Sequence, residues 1–555
     1  MKKLLYTVLA ICAAGLLICA SAAKYNKTEI LRNLNLFNSV VKELHSGYVD
    51  TLDSEELIEF AIDAMLSRVD PYTEYYPANN REALTSISTG QYGGIGAVIQ
   101  QRREGGAIIY QPVFGEPAWQ SGLRHGDIIL KIDGKDVSSM KGTDEVSRNL
   151  RGTPGTTVHV EIRRPFDPDS IKHIDVVRRT IHQNPLPYYG VDSTGMGYIC
   201  LKTFNENSAN LVRDAVLDMM KNPDLRGLVL DLRNNGGGVI DGAVDIAGLF
   251  VPKGTEVVRT RGTDGRVLKV YRTAAKPIAP DLPLVILTNR NTASASEIVA
   301  GSLQDLDRAV IVGERSFGKG LVQTSRQLPD GALLKLTMAR YYIPSGRLIQ
   351  ALDYSHRDAD GRPTRTPDSL TNVFATSKGR EVRDGGGITP DVTVSDTTFS
   401  MLEYALEEQN VVYDYANRFR QTNPSIADAD AWEVTDSVFN DFKTFVKPKN
   451  LIYDKMTERG IKYLREASRA EGMESDSVTA LLDRLGELLQ HNIDNDLEFN
   501  RTDILRLLDA EISQRYYPEA DLIRRSLRYD ADVDSARAVL LTPGRVEGIL
   551  NSSKK

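Results

Sequence analysis

Cysteine is nearly absent. Three occur in 555 residues, and Cys12 and Cys19 both fall in the first 23, which leaves Cys200 as the only thiol of the remaining chain. One thiol excludes an internal disulfide framework and a cysteine-built zinc site there. Cys200 sits in the apolar run "MGYICLKTF" and reads as a buried strand residue. Histidine is scarce too: His45, His125, His159, His173, His182, His356 and His491 are all there are, with none between residues 183 and 355. A Ser-His-Asp triad would have to be assembled from outside that stretch. H-E-x-x-H does not occur, and no G-x-G-x-x-G follows the strand-like "LVLDLR", so neither a zincin site nor a dinucleotide loop is indicated. Basic runs are short and the formal net charge is −7, which argues against nucleic acid as the main partner. No repeat of fixed period and no long low-complexity tract appears.

What is present is an ordinary globular composition, 41% hydrophobic and 26% charged, at a length that suggests three or four domains. "MKK" precedes the apolar "LLYTVLAICAAGLLICASAA", the pattern of a secretory signal with an A-x-A site at Ala20-Ser21-Ala22. The run is also long enough to anchor the chain uncleaved. The expectation is therefore export, to a periplasmic or cell-envelope location, with residues 1–23 as signal or anchor. Residues 24–85 show helical periodicity ("SEELIEFAIDAML") and form a helical arm. Residues 86–181 change to short β runs such as "GGIGAVIQ", "DIILKIDGK" and "TVHVEIRRP", with a helix over "TDEVSRNL". From 182 to 400 apolar strands ("RGLVLDLR", "LPLVILTN", "RAVIVGE") alternate with helices ("NLVRDAVLDMMK", "SASEIVAGSLQDL"), which predicts an α/β layer domain with a largely parallel sheet. Residues 401–555 are charged amphipathic helices suited to an oligomer interface, a gate or an adaptor surface. The fold class is thus a multidomain α/β chain: an α/β-layer core, a β domain ahead of it, and helical domains at both ends.

"GERSFGKG" at 313–320 matches a phosphate loop except that Gly320 replaces the magnesium-binding Ser or Thr. A phosphate loop needs a helix starting at the lysine. The following "GLVQTSRQLPDGALLKLTMARYY" instead alternates as β structure around a "PDG" turn, so the nucleotide reading fails on context. A lysine flanked by Gly318 and Gly320 can be turned inward, where desolvation lowers its pKa from about 10.4 toward neutrality and makes it a general base. It needs a nucleophile. "NRNTASASEIVAG" at 289–301 brings Thr292, Ser294 and Ser296 to a strand-to-helix junction, where helix amides favour developing negative charge. A plain N-cap is the alternative at that junction. A Ser-Lys pair needs no histidine. In "LVLDLRNNGGGVIDG" the amides of Gly237 and Gly238 are candidates to complete an oxyanion hole with Ala295.

"LDLRNNGGG", "NTASASEIVAGSLQD" and "GERSFGKGLVQ", in this order, resemble the C-terminal processing peptidases, or tail-specific proteases, over roughly residues 30–400. The resemblance implies Ser294 as nucleophile, Lys319 as base and Gln323 as the residue that orients the lysine, with Ser296 structural. It also implies a PDZ domain over 86–181. "YGGIGAVI" looks like its carboxylate-binding loop, with Gly94, Ile95 and Gly96 receiving the carboxylate of an unstructured C-terminal tail, and the "TDEVSRNL" helix as the other groove wall. The expected activity is serine-type endopeptidase action on such tails without metal or cofactor. The competing reading is a non-catalytic PDZ-type binding or scaffold protein on the same fold. Arg124 is an exposed arginine or a link between tail binding and the active site.

Overall fold

Short, largely apolar runs become central strands, because only a sheet covered on both faces accommodates them. The computed structural model describes residues 27–78, 89–102, 106–140, 142–167, 169–394 and 400–552. The N-terminal segment expected to direct export, with Cys12 and Cys19, lies outside the described residues. The chain divides into one unit ending at Tyr75 and a second beginning at Tyr76. In the first, Lys27–Gly47 and Ser54–Leu66 are helices, and the Asp53 carboxylate caps the second by accepting from the amides of Glu55 and Glu56.

In the second unit the core sheet runs in the order Tyr188–Val191, Met196–Cys200, Gly227–Asp231, Leu284–Thr288, Val310–Gly313, Val392–Thr393. Its first pair is antiparallel and every later pair parallel. The central strands Met196–Cys200, Gly227–Asp231 and Leu284–Thr288 are buried at every position. Helices Ser208–Met219, Ile240–Gly248 and Ala295–Asp305 pack their apolar residues (Val212, Val216, Ile246, Ile298) against one set of strand side chains, including Leu228, Leu230 and Ile286. The alternate residues, among them Val229, Val285 and Val312, are covered by Val533, Ala536 and Val539 of the late helix Ala531–Leu541. The last turns of the chain thus complete the core layer. Cys200 is buried and free, and burial pushes its thiol pKa up to about 12. Arg233 ties this late helix to the sheet. It pairs with Asp231 at 2.6 Å, Asp530 at 2.7 Å and Asp532 at 2.8 Å.

The segment after Gly320 is a hairpin, as its alternation predicts: Leu321–Gln327 pairs antiparallel with Leu333–Tyr342 across a turn at Pro329–Gly331. Ahead of the core, strands Ala97–Gln101, Ala107–Pro112, Ile128–Ile132, Thr157–Arg163 and Ile171–Val177 form a separate antiparallel sheet. Ala97–Gln101 is its edge, and helix Thr143–Leu150 packs alongside through Val146 and Leu150. The helices between Met401 and Ser513 build a core of their own around Phe439, Phe442, Leu497 and Leu508.

Candidate active site

Helix Ala295–Asp305 is buried at all eleven positions, polar ones included. Buried polar groups must be partnered, and apart from Ser302, whose hydroxyl donates back to the Val299 carbonyl of the same helix, the polar side chains pin the helix to its neighbours. Ser296 Oγ donates to the Asn235 carbonyl at 2.9 Å, and Gln304 Nε2 to that of Thr389 at 2.9 Å. Asp305 pairs with Arg347 at 2.8 Å, both out of contact with solvent.

The turn leading into this helix carries the hydroxyls singled out in the sequence, and the structure separates them. Thr292 Oγ1 donates to the Leu232 carbonyl and accepts from the Asn289 amide, each at 2.9 Å. Ser296 is committed as described. Ser294 alone of the three is open to the cleft, with backbone angles φ 58° and ψ −116°. A non-glycine residue in that region is strained by about 1–3 kcal/mol and stays there only when its surroundings fix it. Here they do: the Ser294 amide donates to Glu297 Oε2 at 2.9 Å, and its carbonyl accepts from Tyr341 Oη at 3.2 Å and from the Ile298 amide at 3.0 Å.

Glu297 is the residue that sequence reasoning missed. It is fully buried and accepts four hydrogen bonds, two at each oxygen. Ser316 Oγ and the Gly318 amide reach Oε1 at 2.5 and 2.7 Å; the Ser294 and Lys319 amides reach Oε2 at 2.9 and 2.8 Å. Burial raises its pKa and the four donors oppose that rise. Four donors fill all the acceptor positions of an ionised carboxylate, one more than a protonated carboxyl offers. One side chain therefore holds both the Ser294 turn and the Lys319 loop. The spacing Ser294-x-x-Glu297 has the form of a capping box and was the readable signal.

Ser294, Lys319 and Gln323 all line one cleft of about 690 Å³, with Thr203, Gly237 and Gly238 on its other wall. Lys319 is half-buried. Gln323 opens the hairpin and donates to Thr337 Oγ1 at 3.1 Å. At Gly237 (φ +98°) a Cβ would stand 2.8 Å from Ser294 Cβ, the Ala293 carbonyl oxygen and the Ala295 nitrogen, so only glycine lets this strand end reach the serine turn. The two glycine amides expected at an oxyanion hole differ. That of Gly237 is already given to Asn235 Oδ1 at 2.9 Å, which removes it from the expected donor set. That of Gly238 has no acceptor among the described residues, and Ala295, first in its helix, has none within the helix.

In the upstream β domain, Gln91–Gly94 pairs with Arg179–His182 and the chain turns at Ile95–Gly96 into the edge strand. The carbonyls of Ile95 and Gly96 are taken by the amides of Ala118 at 2.8 Å and Val113 at 2.9 Å. The amides of Ile95 and Gly96 point to no acceptor among the described residues. Arg151 stacks over Tyr92 at 4.8 Å beside this loop.

Residues 195–354 match peptidase family S41, residues 108–164 a PDZ domain, and residues 402–540 the C-terminal helical domain of a probable PDZ-protease. A probable CtpA-like serine protease of Staphylococcus aureus is 32% identical over 433 residues, 76% of this chain and 84% of that one. A carboxy-terminal-processing protease of Bartonella bacilliformis is 35% identical over 345 residues, 61% of this chain and 78% of that one. Among solved structures, the photosystem II D1 C-terminal processing protease aligns at 28% identity over 68% of this chain and 96% of its own, with a TM-score of 0.36. The chain belongs to peptidase family S41: it is a C-terminal processing serine protease that carries a PDZ domain.

Proposed function

We propose that Ser294 is the nucleophile and Lys319 its general base, and that the PDZ domain delivers unstructured C-terminal tails to them. The observation that carries this reading is the sorting of three hydroxyls: only Ser294 shares a cleft with Lys319. Neutral Lys319 takes the Ser294 proton as Oγ attacks the scissile carbonyl. The Gly238 and Ala295 amides receive the oxyanion, and the positive end of the buried helix adds to them. The lysine then gives its proton to the leaving amine, and water hydrolyses the acyl-enzyme. Gln323 orients the lysine from the hairpin strand Leu321–Gln327. Glu297 holds the backbones of both partners and touches neither substrate nor reacting atoms.

A tail entering the PDZ groove adds a strand to the free edge of Ala97–Gln101, with its carboxylate at the Ile95 and Gly96 amides and Arg151 nearby. Residues 1–23 export the chain, to act at the cell envelope. The boundaries near 24, 86, 182 and 401 mark arm, PDZ domain, core and helical domain. The C-terminal helices supply an oligomer or adaptor contact.

The test is cleavage of an unstructured peptide with an apolar end, free or amidated, by the wild type, Ser294→Ala and Lys319→Ala. Cutting by the wild type alone, slowed by amidation, is expected. Equal cutting of free and amidated peptide refutes tail capture, and cutting by either variant refutes the Ser-Lys assignment.

A further inference from the structure

We propose that the cleft between the PDZ domain and the C-terminal helices binds a small multivalent oxyanion of the phosphate type. This cleft of about 440 Å³ is lined by Trp119, Arg124, His125 and Arg164 from the PDZ side and by Arg420 and Arg515 from the helices, and it shares no lining residue with the Ser294 cleft. Four guanidinium groups therefore meet in a chain whose net charge is −7.

Two of the four charges are answered. Asp127 holds Arg164 through bonds of 2.7 Å to both oxygens, and Glu511 holds Arg515 at 2.6 Å. The other two have no counter-charge among the described residues and lie over aromatic rings instead, Arg124 over Trp119 at 5.0 Å and Arg420 over Tyr516 at 4.6 Å. Arg124 Nη1 donates to the carbonyls of Trp119 at 3.0 Å and Leu123 at 2.8 Å, and Arg420 Nη1 to those of Asn423 at 3.3 Å and Pro424 at 2.6 Å. Neither has a carboxylate within ion-pair distance among the described residues. The one carboxylate in the lining, Asp167, is paired with Lys172 at 3.2 Å. The strain is visible in Arg124, whose pKa is lowered by burial and then by Arg164 and Arg420. Half-buried like charges are normally separated or compensated, and here they are held together by two domains.

His125 is the second, independent mark of a ligand. It is 7% exposed, lines the cleft, and its Nε2 has no hydrogen-bond partner. A buried ring nitrogen left unpaired is destabilising unless something else meets it. Burial, Arg515 and Arg124 keep the imidazole well below its ordinary pKa, so it is neutral and offers one donor and one acceptor nitrogen. An oxyanion between Arg124 and Arg420 accepts from both guanidinium groups and from the ring. It also ties the PDZ side to the helical side, so the anion holds the PDZ domain in this docked position.

The experiment titrates the full chain with inorganic phosphate by calorimetry and thermal shift, against chloride at matched ionic strength. Glycerol 3-phosphate runs in parallel: equal binding identifies a phosphate ester as an accepted source, and weaker binding the free ion. We expect saturable binding of one ion per chain. Affinity should fall at least tenfold in Arg420→Gln and in Arg124→Gln, and stay unchanged in Arg266→Gln, which alters an exposed hairpin cation. Amide exchange in the wild type should slow over residues 119–127 and 413–421 when phosphate is added, a readout independent of whether a variant folds well. Chloride matching phosphate, or Arg420→Gln binding as the wild type does, means an adventitious ion only and overturns the proposal. Phosphate binding without slowed exchange in those segments overturns it as well.

Discussion

Replacing Glu297 by glutamine keeps the shape of the side chain and removes one acceptor oxygen. Two of the four donors then face an NH₂ group. The least damaging arrangement keeps the amide oxygen on the Ser294 and Lys319 amides and turns NH₂ toward Ser316 and Gly318, because the Ser316 hydroxyl can rotate to accept. The Gly318 amide, 2.7 Å from Oε1 in the wild type, has no such freedom and meets a donor. The Ser316 proton loses its acceptor, and the two surviving bonds lose their charged partner. Hydrogen bonds to a charged group are worth about 1.5–3 kcal/mol each, and a stranded buried donor costs about 1–3 kcal/mol. The net destabilisation expected is about 2–4 kcal/mol. The backbone beside Lys319 must shift to relieve the clash, and misplacing a catalytic group by about 1 Å costs roughly 100-fold in rate. Steady-state kinetics on an unstructured peptide should show kcat down by about 100-fold with KM nearly unchanged, since the PDZ groove is untouched. Urea unfolding measures the stability loss. A Glu297→Gln enzyme with kcat within twofold of the wild type refutes the argument that this carboxylate positions the site.

Other consequences are equally direct. Gly237→Ala puts a methyl group 2.8 Å from Ser294 Cβ at a φ of +98°, so kcat should fall about 100-fold; an active variant would show that the close approach is not required. Arg233→Ala strands Asp231, Asp530 and Asp532 and should cost about 3–5 kcal/mol in urea unfolding, while a loss under 1 kcal/mol would place the late helix on its apolar contacts alone. Cys200 should resist alkylation at pH 8 until the chain unfolds, which mass spectrometry after iodoacetamide detects. Its raised pKa also has a stability sign: the unfolded thiol ionises near pH 9 and the folded one near 12, so the folded state binds more protons between them. Stability should therefore fall as pH rises through that window, and Cys200→Ala should reduce this slope.

The motif-bearing turns were readable because their chemistry is local. Three glycines after an apolar strand, a serine opening a helix and a lysine between glycines each announce a backbone constraint within a few residues. The alternation after Gly320 likewise separated a hairpin from a phosphate-loop helix. What stayed hidden depends on contacts between distant segments. Amphipathic periodicity marks the charged stretches after residue 400 as helices, but nothing in it names Val229 and Val285 as the surface that Ala531–Leu541 covers. The commitment of the Gly237 amide to Asn235 arises from a two-residue turn whose geometry the spacing does not dictate. Glu297 was legible as an N-cap partner, yet its bonds to Gly318 and Lys319 cross more than twenty positions. The pairing of Tyr110 with Tyr413 across 5.1 Å, which docks the PDZ domain on the helices, has no signature in either segment.

The most direct measurement is the mass of the enzyme trapped with a serine-acylating peptide analogue, followed by peptide mapping. The account predicts a single adduct on Ser294, absent in Ser294→Ala and formed far more slowly in Lys319→Ala at neutral pH. An adduct on Thr292 or Ser296, or unchanged acylation in Lys319→Ala, would contradict it.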